Sequence, residues 1–197
     1  LTKPRLHLAL VHYPVMDKNG ATIAAAVTNL DLHDIARAAR TYGARGYHIV
    51  TPVVDQHELV ASLRDHWVEG YGATYNPKRR QALALVDLHE SLGAAVAAVA
   101  ATEGERPRVV ATSARFTGSD LSFEQLRRQL FRGRLILLVL GTGWGLAPEC
   151  VAEADDRLAP IEGPTDYNHL SVRSAAAIML DRLLAPWCGN KAAVVGQ

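Results

Sequence analysis

At 197 residues, 49% hydrophobic but only 6% aromatic, the chain has the length of one domain whose core must be built from Ala, Val, Leu and Ile. A formal net charge of +1 neither requires nor excludes a nucleic-acid partner, because phosphate responds to a local patch rather than to the sum. Cys150 and Cys188 lack Cys-x-x-Cys or His-rich spacing, so they read as reduced thiols with no disulfide framework and no metal site signalled, and without a leader or an apolar run of roughly 20 residues a cytoplasmic chain with no membrane partner is expected.

Leu6 to Val11 reads as a buried strand between Pro4 and Pro14. Asp31 then reads as the cap of a helix with Leu32, Ile35, Ala36, Ala39 and Tyr42 on one face and Gly43 at its stop. Tyr47 to Thr51, closed by Pro52, completes a strand, helix, strand unit that favours parallel pairing. A helix is expected from Gln56 to Leu63, a loop over Gly70 to Pro77, and a helix from Gln81 to Leu92. The Ala/Val run from Ala94 to Ala101 is ambiguous and is taken as a strand; Val109 to Ser113 is another. Ser122 with Gln125 spells a capping box that opens a helix through Phe131, and Leu135 to Leu140 is the strongest strand in the chain. A short helix over Ala147 to Ala154, a short strand over Arg157 to Ile161 and a long helix over Ser171 to Leu184 follow. The alternation predicts one α/β domain over 1–197, with a mainly parallel sheet and helices on both faces.

Ligands of such sheets bind beyond the carboxyl ends of the strands. Gly141-Thr142-Gly143-Trp144-Gly145-Leu146 follows the best strand, where its backbone amides can meet a ligand closely; a turn that simply needs positive φ explains it about as well. Its spacing is neither Gly-x-Gly-x-x-Gly nor a phosphate loop. Glu162 to His169 concentrates an acid, an amide, an imidazole and a phenol before a helix, although Asn168 or Ser171 can also serve there as a cap. Asn19 to Asp31, with Arg37 beyond it, forms a third such region. Lys78-Arg79-Arg80 follows Trp67, Tyr71 and Tyr75, a pairing of cations and rings that suits an RNA-facing lid, and Arg127-Arg128 is a second basic cluster; solvated helix faces account for both about equally.

Three blocks together resemble the SPOUT, or trefoil-knot, superfamily of RNA methyltransferases over most of the chain. Asn29 through Gly43 (NLDLHDIARAARTYG) looks like the first SpoU-type motif, with Arg37 in its arginine position six residues before the closing Gly. Leu138 through Glu149 (LVLGTGWGLAPE) looks like the second and Leu170 through Ile178 (LSVRSAAAI) like the third. The resemblance implies a C-terminal deep trefoil knot, a homodimer, and S-adenosylmethionine held by Leu140, Gly141, Gly143, Trp144, Gly145, Ile161, Gly163, Leu170, Ser171 and Ser174. Methyl transfer needs a proton acceptor beside the attacking atom, for which Asp166 is favoured and His169 is second, with Arg37 orienting the nucleotide, across the dimer interface if need be. Asn29, Lys78, Arg79 and Arg80 are the expected RNA contacts, on tRNA or rRNA. Ser171 and Arg173 stand where SpoU-type ribose methyltransferases carry Asn and Ser, and the Glu usual in the second motif is missing, which tilts the expectation toward base rather than ribose 2′-O methylation. A catalytically inactive module that binds the same cofactor and RNA, or an unrelated doubly wound nucleotide-cofactor enzyme, is the alternative.

Overall fold

The computed structural model describes residues 4–186. β1 (Arg5–Val11) leads through a small antiparallel pair, β2 (Val15–Met16) and β3 (Thr22–Ile23), into α1 (Asn29–Tyr42) and β4 (Gly46–Val50). Three helices, α2 (Val54–Val68), α3 (Tyr71–Tyr75) and α4 (Pro77–Leu83), precede β5 (Val86–His89), α5 (Leu92–Glu103) and β6 (Arg108–Ala111). The chain closes with α6 (Phe123–Phe131), β7 (Leu135–Gly141), α7 (Pro148–Ala152), β8 (Asp156–Arg157) and α8 (Val172–Leu184). Six of the strands form one sheet in the order β5-β4-β1-β7-β6-β8, and every neighbouring pair in it is parallel.

β1 and β7 read as near-continuous apolar runs because a parallel sheet is covered on both faces. Leu6, Leu8 and Leu10 point into a core shared with Leu32 and Ile35 of α1, Leu126 and Leu130 of α6, and Leu180 and Leu183 of α8. Ala9 and Val11, one residue out of phase, point into a second core with Leu92, Ala95 and Val99 of α5 and Cys150 of α7. Helices on both faces are therefore observed. Burial pushes the Cys150 thiol up to about 12, in keeping with an inert structural cysteine. Cys188 lies outside the described residues.

Local structure departs from the sequence expectations at five places, one of them the strand expected over Arg157 to Ile161, which is shortened to Asp156–Arg157 because β6 supplies pairing only there. The N-cap of α1 is Thr28, whose hydroxyl accepts from the Asp31 amide; the Asp31 carboxylate turns inward instead. Ala94 to Ala101 is the middle of α5, not a strand: Ser91 caps it, Gly104 ends it at φ 80°, and alanine is the strongest helix former. The loop expected over Gly70 to Pro77 contains α3, after which Asn76 caps α4 through the Arg79 amide. The helix expected from Gln81 to Leu92 ends at Leu83, because Val86 to His89 pair with β4 instead. Among the described residues no helix is long and apolar enough to cross a membrane.

Candidate functional site

β1, β7 and β6 end side by side, and the loops that leave them enclose a cavity of about 590 Å³, within the roughly 300–1,000 Å³ usual for ligand sites. Its floor is the turn after β7. The Thr142 amide and hydroxyl both bond to the Val11 carbonyl, at 3.1 and 3.0 Å, and the Gly145 amide closes onto Thr142 O at 3.0 Å. β2 grips the turn from outside, with Met16 N to Gly145 O at 2.9 Å and Trp144 N to Met16 O at 3.0 Å. The Thr142, Trp144 and Gly145 amides are thus engaged by β1, by β2 and by the turn itself, which makes the turn a rigid wall. A β-carbon on Gly141 would lie 2.5 Å from the Leu146 amide nitrogen, and Gly143 and Gly145 have φ of 59° and 106°, so this turn demands its glycines.

Leu140, Gly141, Gly143, Trp144, Gly145, Ile161, Leu170 and Ser171 all line this cavity. Gly163 and Ser174 do not; Ser174 instead gives its amide to the Ser171 hydroxyl, which caps α8. Of the expected catalytic residues, His169 lines the cavity, its ring perpendicular to that of Trp144 at 6.0 Å between centroids. Asp166 lies in the exposed stretch that skirts the cavity without lining it, and Asn29 is exposed at the start of α1. Arg37 is elsewhere: with Arg40, Asn76, Lys78 and Arg79 it lines a second concavity of about 520 Å³, where Arg79 stacks over Trp67 at 4.4 Å. Arg80 is exposed beside it.

Sequence reasoning missed Arg115 in the cavity, the ion pair that Asp31 makes there, and His12 behind it. The guanidinium of Arg115, in the loop after β6, stacks over Trp144 at 4.9 Å. Asp31, read as a cap, is a buried carboxylate that accepts from Arg173 at 2.8 Å and from the Thr28 hydroxyl at 2.6 Å, tying α1 to α8. Behind it His12 is fully buried; burial lowers its imidazole to about 4, against the upward pull of Asp31 and of the Ala25 and Ala26 backbone. No linear signal marked Arg115, whereas Arg173 had stood out as a departure within the third block.

The walls suit an adenosine-containing sulfonium. Leu140, Ile161, Leu170 and Met179 offer an apolar slot, Trp144 a ring face, and Arg115 a cationic group for a carboxylate. Residues 5–185 match the family model of SAM-dependent RNA methyltransferases. The chain is similar to a tRNA (guanine-N(1)-)-methyltransferase of Oleidesulfovibrio alaskensis, 47% identical over 179 residues that cover 91% of this chain and 42% of that protein. It thus spans about two fifths of that relative's length. Its fold is similar to that of TrmJ from Z. mobilis ZM4, with a TM-score of 0.58 at 17% identity over 89% of this chain and 67% of that one. It is also similar to the SpoU methyltransferase AviRb from Streptomyces viridochromogenes in complex with AdoMet, with a TM-score of 0.54 at 18% identity over 93% of this chain and 61% of that one.

Proposed function

Because this chain belongs to the SAM-dependent RNA methyltransferase family, with the SPOUT resemblance of its three blocks matched by SpoU-type structures, we propose that it methylates tRNA, on a guanine base rather than on a ribose. The observation that carries this reading is the rigid Gly141 to Gly145 turn facing His169 and Ser171 across one cavity, beside the tRNA (guanine-N(1)-) activity named for its relative. S-adenosylmethionine supplies an electrophilic methyl group there. The lining residues of the second and third blocks hold it, with Gly163 and Ser174 shaping the loop and helix start behind them.

Asp166 is the proposed acceptor of the proton that the attacking base loses, with His169 as the second candidate. Its exposed segment has to fold over the cavity when RNA arrives. Arg37 is proposed to orient the nucleotide, and since it opens on the other concavity of its own chain, that role requires a second copy. Leu170 (45% exposed) lines the cavity, Leu30 (61%) and Tyr167 (74%) adjoin its lining residues Asp31 and Asn168, and all three suit coverage by that copy in a homodimer. Asn29, Lys78, Arg79 and Arg80 are proposed RNA contacts, the basic groove of α1 and α4 receiving phosphates. The segment from Leu158 to Ser171 bonds to the 114–121 loop, with Ala159 N to Leu121 O at 2.8 Å and Asn168 Nδ2 to Ala114 O at 3.4 Å. We read it as the threaded part of a deep trefoil knot.

The test is transfer of labelled methyl from S-adenosylmethionine to bulk tRNA, followed by nucleoside analysis. Label in methylguanine is the expected result; label on ribose would move the acceptor atom, and cofactor binding with no transfer would reduce the chain to a binding module.

A further inference from the structure

On the face of the sheet that packs α5, three histidines stand in a row across β1, β4 and β5. His7 Nδ1 lies 3.1 Å from His48 Nε2, and His48 Nδ1 lies 2.9 Å from His89 Nε2. Register explains the row: Asp87 pairs with His48, and His89, two residues on, shares its face. We propose that His48, Asp87 and His89 form a binding site for one divalent transition ion of the zinc class, at the sheet edge and apart from the cofactor cavity.

The hydrogen-bond network fixes two of the tautomers that such a site needs, those of His7 and His48. Glu103, at the end of α5, is an ionised acceptor: burial alone would raise it, yet bonds from Arg45, His7 and Arg5 hold it down to about 2. His7 must therefore donate to it from Nε2, at 3.2 Å, which leaves His7 Nδ1 as a lone pair. His48 must donate to that lone pair from Nε2. The lone pair of His48, on Nδ1, then accepts from His89 Nε2 at 2.9 Å, with Asp87 Oδ2 3.4 Å from the same nitrogen; an ion bound there replaces that shared proton, and His89 shifts to its Nδ1–H tautomer. All three ligand atoms lie within 4.8 Å of one another.

Zinc-class bonds of about 2.0–2.2 Å put tetrahedral ligands about 3.3 Å apart, so the His48 and His89 nitrogens, 2.9 Å apart, separate slightly while the exposed Asp87 carboxylate swings in from within the 4.8 Å that spans the three atoms. Two imidazole nitrogens and one carboxylate oxygen suit that class, not Mg²⁺ or Ca²⁺, which take oxygen. The His48 to His7 to Glu103 chain is an outer shell of the kind that orients ligating imidazoles. The backbone makes room for it: a β-carbon on Gly46 would lie 2.6 Å from His7 Nδ1 and 2.9 Å from His48 Nε2. His48 is buried and the His89 side chain 9% exposed, while that of Asp87 is 55% exposed, which gives the ion a way in and open positions for water.

The experiment strips the full chain with EDTA, dialyses it against Zn²⁺ or Co²⁺ and counts metal per chain, with Co²⁺ absorption reporting the ligand field. One ion per chain is expected, accompanied by a rise in Tm that saturates at one equivalent. His89→Gln should abolish binding and Asp87→Asn weaken it, both at the sheet edge where folding is readily verified by circular dichroism. Glu103→Gln should weaken it about 10–100-fold through the outer shell. Cys150→Ser should bind as the parent does. No retained ion, or unchanged binding in folded His89→Gln and Asp87→Asn chains, overturns the proposal and marks the row as a hydrogen-bonded chain only. No step of the assay depends on RNA or methyl transfer.

Discussion

The buried imidazole of His12 makes stability sensitive to mild acid. Its folded pKa is about 4 because burial disfavours the charged ring, with Asp31 as the facing carboxylate that opposes this and the Ala25 and Ala26 backbone alongside. In the unfolded chain the ring titrates near 6.5. Depression means that the neutral form is favoured on folding, so the contribution is complete above pH 6.5 and is lost as the pH falls from 6.5 toward 4. With those two values, the loss between pH 7.5 and 5.0 is about 2 kcal/mol, a substantial part of the roughly 5–15 kcal/mol that holds a domain together. Urea unfolding at the two pH values, for the parent and for His12→Leu, measures it. Burial also lowers His7, His33, His48 and His89, so both chains weaken in acid, and the informative quantity is the difference between them. The parent should lose about 2 kcal/mol more than the variant; equal losses would refute the reasoning.

Gly141→Ala should lower S-adenosylmethionine affinity at least tenfold by calorimetry, because the added methyl meets the Leu146 backbone rather than a yielding side chain. Arg173→Met should cost about 1–3 kcal/mol in denaturant unfolding, since it leaves the buried Asp31 carboxylate without its cation; Arg173→Lys should restore part of that. Asp166→Asn should leave cofactor affinity near normal and slow single-turnover transfer about 100-fold; an unchanged rate would remove Asp166 from the proton step. Replacing Lys78, Arg79 and Arg80 by Ala should weaken RNA binding and flatten its salt dependence by up to about three units of slope; an unaltered slope would move the RNA to another face.

The sequence was legible where one residue carries its own local physics. Gly43 ends α1 in the left-handed region at φ 76°, Ser122 and Gln125 make both bonds of the capping box, and Ser171 caps α8. The long apolar strands and the glycine turn after β7 were equally plain. Misreadings fall where the deciding partner is remote. Ala94 to Ala101 has too uniform an apolar pattern to show its period, and only packing of Ala95 and Val99 on the sheet settles it as helix. Val86 to His89 continue a helical pattern until β4 supplies hydrogen bonds. Asp31 looked like a cap because its true partner, Arg173, lies 142 positions away. The site follows the same rule: the blocks predicted a shared cavity, but not that Arg37 would open away from it or that Arg115 would cover Trp144.

The place of β7 constrains how the molecule can be assembled. Residues 135–141 form the slot filler between β1 and β6, bonding to both, so until they are made the two halves of the sheet have no seam to join along. A nascent chain lacking them holds β1 with one open edge and β6 with no partner from the first half, and such edges invite pairing with other chains. Slow translation or truncation just before residue 135 should therefore be the point of greatest hazard for aggregation. The central strand that positions the glycine turn also sets when the protein becomes safe from its neighbours.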